Sequence, residues 1–129
     1  MLRMLVLAGL MTSALLSGQS GPTTAGHVNG RFWRVSPKAG KQTYAFGLFD
    51  GLEIGNRRTE LPTGFFRSYI SDLDRFYAID KNLNIPIYMA TEYLLRKQKG
   101  EITKEMEPFQ IEAMRQISTE LDSESRHSK

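Results

Sequence analysis

The chain has 129 residues, room for one domain, and its 40% hydrophobic and 24% charged content excludes a disordered polymer. Seventeen Lys and Arg against fourteen Asp and Glu give a net charge of +3. That excess is spread along the chain, without the basic, aromatic-interleaved stripe that a nucleic-acid partner requires. Cysteine is absent, which excludes disulfides, thiolate metal ligands and thiol catalysis.

Met1-Leu2-Arg3 makes a short positive start, residues 4–16 are apolar apart from Gly9, Thr12 and Ser13, and Ser17-Gly18-Gln19-Ser20 is small and polar. This is the three-part layout of a secretory signal peptide over residues 1–20, with a cut expected after Ser20 and Ala25 as a second position. The 13-residue apolar run falls short of the roughly 20 residues of a membrane span. No stable membrane anchor is therefore expected after cleavage. Residues 21–28 read as a flexible linker, 29–122 as a helical domain and 123–129 as a disordered polar tail.

Asn29 can cap a single helical turn that sets Phe32, Trp33 and Val35 against the core. Ser36 followed by Pro37 reads as the start of a long helix over 37–55. Within it Gly40, Tyr44, Gly47, Gly51 and Gly55 recur at spacings of 4, 3, 4 and 4, one stripe of the helix. An interior glycine costs roughly 1 kcal/mol against alanine, so Gly40, Gly47 and Gly51 together cost about 3 kcal/mol. The expected offset is close approach of another backbone, or of a large ring, to this bare ridge inside the fold. The Gly-x-x-x-Gly spacing is also that of membrane helices, but Lys41, Asp50 and Glu53 on the same segment exclude a bilayer.

A third helix opens at Thr63 or Gly64, with Phe66, Tyr69, Ile70, Leu73, Phe76 and Tyr77 on its inner face and Arg67, Asp72, Asp74 and Arg75 on the other. Asp80, Asn82 and Asn84 then match the first half of a calcium loop. Ile85 stands where that loop needs glycine and Thr91 where it needs a bidentate carboxylate. Asx-type turns account for the same residues, and no metal or cofactor is expected. Pro86 suits the first turn of a helix over 87–99 that ends at Gly100, with Ile87, Ala90, Thr91, Leu94 and Leu95 inward. Pro108 opens the last helix, whose inner stripe is Ile111, Met114, Ile117 or Ser118, and Leu121. The expected fold is all-α: a single small bundle of four main helices plus a short leading helical turn.

His27 and His127 are the two imidazoles and lie at the chain ends, so no triad or histidine metal site on rigid elements is expected, and no enzyme. The alternative is a small hydrolase or ligand-binding protein that uses Asp50, Glu53 and Tyr77 beside the glycine helix. Glu53, Tyr77, Asn82 and Asn84 are the candidate interaction residues.

Trp33, Lys41, Tyr44, Gly47, Asp50 and Gly51 form a tryptophan followed by Lys-x-x-Tyr-x-x-Gly-[aromatic or aliphatic]-x-[acid]-Gly. With Phe76-Tyr77, Asn82 and Ile85-Pro86-Ile87, this resembles a group of small exported bacterial proteins of unknown function. More remotely, it is similar to the Tai-type immunity proteins of type VI secretion systems, compact exported helical proteins that neutralise a cell-wall-cleaving toxin in the periplasm. The resemblance covers residues 30–100. It implies a helical, non-catalytic module, periplasmic or secreted, whose partner is another exported protein.

Overall fold

The structure is a computed structural model that describes residues 21–56 and 61–128; the expected signal peptide lies outside them. Over the described residues the fold is all-α, a small bundle of four long helices preceded by a short one. A two-residue ribbon, β1 (Thr23–Thr24) with β2 (His27–Val28), leads into α1 (Gly30–Val35) and α2 (Lys38–Ile54). Then come α3 (Phe65–Tyr77), a 3-10 turn at Asp80–Asn82, α4 (Ile87–Gln98) and α5 (Glu107–His127).

The hub is α3, which contacts α1, α2 and α4. Its inner face carries Phe65, Tyr69, Leu73, Phe76 and Tyr77, all buried. Tyr69 sits at the centre: its ring meets Trp33, Phe49 and Phe65 at centroid distances of 6.3, 5.6 and 5.6 Å. Its hydroxyl lies 2.7 Å from Thr91 Oγ1 on α4. One side chain thus joins four helices, with its polar tip satisfied as a buried phenol requires. Phe66, expected inward, is 49% exposed, because Phe65 takes the inner position as the helix opens at Gly64 (φ 87°).

Asn29 caps α1 as expected, its Oδ1 accepting from the amides of Arg31 and Phe32 at 3.0 and 3.4 Å. Trp33 is buried, but Val35 is 80% exposed and does not join the core. Ser36 does not open α2. Its Oγ and its amide both donate to the Phe32 carbonyl, so it closes α1, and Pro37 stands at the α2 N-cap with no side-chain bond. α4 ends in a paired closure at Gly100 (φ 75°). The Gly100 amide donates to Lys97 O at 3.0 Å and the Glu101 amide to Arg96 O at 3.0 Å, the geometry that glycine permits just past a helix end.

Two segments expected to lack structure have it. Residues 21–28 are a hairpin, not a linker: Ala25 (φ 49°) and Gly26 (φ 84°) form its turn, and Thr24 is fully buried. Thr24 Oγ1 donates to Asn84 O at 2.6 Å, while Asn29 Nδ2 donates to Thr24 Oγ1 at 3.0 Å and to Gly21 O at 3.1 Å. Residues 123–127, expected in the tail, continue α5 to His127, helped by an Arg126–Asp122 ion pair at 2.7 Å. On the inner side of α5 Met114 and Ser118 are buried, whereas Ile117 is 44% exposed.

Candidate functional site

Three of the motif residues come together around an acid that periodicity alone places on the outer side of α3. Trp33 Nε1 donates to Asp74 Oδ1 at 2.8 Å, and Lys41 Nζ donates to the same oxygen at 2.7 Å. Lys41 Nζ also sits 5.4 Å above the Trp33 ring, within cation–π range. Tyr44 closes the group, edge to face with Trp33 at 6.0 Å, and burial pushes its phenol up from the ordinary value. Asp74 is the member that the sequence reading missed. The available signal was chemical: a buried indole N–H needs an acceptor, and a lysine held beside it needs an anion.

The glycine ridge is the main correction. Gly47, Gly51 and Gly55 are exposed, and a Cβ added at Gly47 or Gly51 would meet nothing within 4 Å. At Gly40 the nearest atoms to an added Cβ belong to Pro37 and Ser36 of the same turn, at ordinary distances from 3.5 Å upward. The helix buries the opposite side, through Ala45 and Phe49 with Leu48 and Leu52 partly covered. At 3.6 residues per turn, Gly47 lies about half a turn from Ala45 and Phe49. Close packing on glycine occurs instead at Gly30, buried at the start of α1. There an added Cβ would lie 2.2 Å from Tyr77 Cδ1 and 2.9 Å from Leu83 Cα.

The candidate interaction residues divide in the same way. Tyr77 is buried, and its hydroxyl donates to Ile85 O at 2.9 Å, the burial pushing its phenol upward. Asp50 and Glu53 are exposed on α2. The carboxylate pair and Tyr77 therefore do not face a common pocket, and that version of a hydrolase site is not assembled. Asn82 is fully buried, donating from Nδ2 to Phe76 O at 2.8 Å and accepting at Oδ1 from Arg115 Nε and Nη2 at 2.9 and 2.8 Å. Asn84 Oδ1 accepts from Thr24 Oγ1 at 3.1 Å and from Arg31 Nη1 at 3.4 Å. Asp80 pairs with Arg34 at 2.7 Å. The three oxygens of the calcium-like stretch are thus committed to three separate arginines and do not converge. Their partners are distant in sequence, so local Asx turns are not what holds them either.

Among the described residues, one apolar surface open to another molecule is the outward side of α2 and its edge with α3. Ile54 is 88% exposed, Phe46 58% and Phe66 49%, with the Phe46 and Phe66 rings 6.4 Å apart and the Phe66 ring tilted against Phe49 at 4.0 Å. Bare backbone at Gly47 and Gly51 is flanked by Phe46 on one side and continues into Ile54. Comparison of the chain with protein-family models, with curated proteins and with solved structures finds no match.

Proposed function

We propose that the protein is an exported, non-catalytic binding module of the immunity or inhibitor kind, which engages another exported protein through the outward face of α2. The observation that carries this reading is a helix whose glycines weaken it with no return inside the fold. The two exposed interior glycines cost about 2 kcal/mol of helix propensity, and among the described residues no atom outside the helix's own backbone uses the space that they leave. A surface that sacrifices stability for bare backbone suits close approach by a partner chain. Ile54 on the same stripe and Phe46 next to Gly47 supply exposed apolar anchors of the kind that interface centres favour. The signal-like layout of residues 1–20 and the resemblance of residues 30–100 to exported immunity proteins support the same reading.

The test is affinity capture from the exported fraction of the producing cell, with the wild-type protein and Gly51→Leu as paired baits. The expected result is one stoichiometric partner held by the wild type and lost by Gly51→Leu, while circular dichroism shows both folded. Retention of every captured protein by Gly51→Leu would show that the ridge is not the binding face.

A further inference from the structure

A cavity of about 430 Å³ opens on the other side of α2, between that helix, α4 and the start of α5. Its walls include Leu48, Leu52, Met89, Leu95, Ile102 and Met114. Apolar cavities are poor hosts for water and readily take apolar molecules, and small-molecule sites commonly span about 300–1,000 Å³. Taking the roughly 30 Å³ that one water fills in the liquid as a yardstick, the space holds about 14 methylene-sized groups.

The charges of the site come from α4. Arg96, with 40% of its side chain exposed, bonds Glu101 through Nε at 3.3 Å, and its two terminal nitrogens have no partner among the described residues. Glu92, one turn earlier, is exposed and also lines the opening. An apolar chamber beside a guanidinium whose two terminal nitrogens are unpaired among the described residues matches an alkyl chain ending in a planar anion. The nearby Glu92 carboxylate disfavours a doubly charged head such as a phosphate monoester. We infer that this cavity binds a single-chain alkyl carboxylate, its chain between α2 and α5 and its carboxylate on Arg96. The site is independent of the outward face of α2, since Leu48 and Leu52 lie on the inner side.

Titration calorimetry of the purified protein with dodecanoate, kept below micelle formation, and with dodecanol tests the assignment. Dodecanoate is expected to bind at one site. Arg96→Gln is expected to weaken it about tenfold, the worth of one charge-assisted pair. Glu92→Gln is expected to tighten it severalfold, and neither change is expected to move dodecanol. Leu52→Trp, which fills the chamber, is expected to abolish binding of both; should it not fold, the two α4 variants still decide. No heat with either compound overturns the cavity as a site. Equal binding of acid and alcohol, unmoved by Arg96→Gln, overturns the carboxylate.

Discussion

Replacing Gly47 and Gly51 together by alanine is expected to stabilise the protein. Both glycines sit inside α2, neither has a positive φ, and among the described residues an added methyl group at either site meets no atom outside the helix's own backbone within 4 Å. What remains is helix propensity, about 1 kcal/mol per site and about 2 kcal/mol for the pair. For a domain near 100 residues each kcal/mol moves the midpoint by roughly 4 °C, so the double variant should melt about 8 °C higher. Gly30→Ala is the internal control. Its methyl group would lie 2.2 Å from the Tyr77 ring and 2.9 Å from the Leu83 backbone, so the protein should lose about 3 kcal/mol through overpacking. Thermal melts and urea titrations, both followed by circular dichroism, measure all three proteins. A double variant less stable than the wild type would mean that the ridge is packed, and an unperturbed Gly30→Ala would mean that the close approach at α1 is wrong. Either outcome refutes the assignment of which glycines are structural.

Asn82→Ala leaves the Phe76 carbonyl and the Arg115 guanidinium without their buried partner, and should cost about 3 kcal/mol in urea denaturation. Tyr69 and Tyr77 both have phenols pushed above the ordinary value of 10 by burial. Their contribution is complete below pH 10, where folded and unfolded phenols are both protonated. Above it the unfolded chain alone ionises, and stability should fall by about 1.4 kcal/mol per pH unit for each ring. Tyrosinate absorbance should appear together with unfolding, and ionisation without loss of helix would contradict the burial argument. Deleting residues 21–28 should cost about 2 kcal/mol, since the Asn84 carbonyl loses its bond from Thr24 and the buried Asn29 loses its acceptors at Thr24, Gly21 and Pro22. On the proposed export, the intact mass of the mature protein should correspond to a start at Gly21, because a cut after Ala25 removes the buried Thr24.

Some of this architecture was legible along the chain because it is written in local physics. The α3 inner face repeats at helical spacing, Gly100 sits where a left-handed residue closes α4, and Asn29 precedes α1 with the side chain that its free amides need. The hairpin was not legible: two residues per strand carry no period, and its stability comes from Asn84, sixty positions away. The α5 extension was hidden by polar composition, which suits an exposed final helix as well as a frayed end. At the candidate site the sequence pointed to Trp33, Lys41 and Tyr44 but not to Asp74, whose role appears only when α1, α2 and α3 meet.

The sequence by itself determined helical class, helix number and most of the boundaries, because propensity, capping and periodicity act within a few residues. Only the tertiary structure decided which side of α2 is buried. A glycine stripe and an aliphatic stripe on one helix are both plausible inner faces, and the choice belongs to the surfaces that pack against them. Leu48, Phe49 and Leu52 took the core because they bury apolar area, which bare backbone cannot. The glycines were left to solvent.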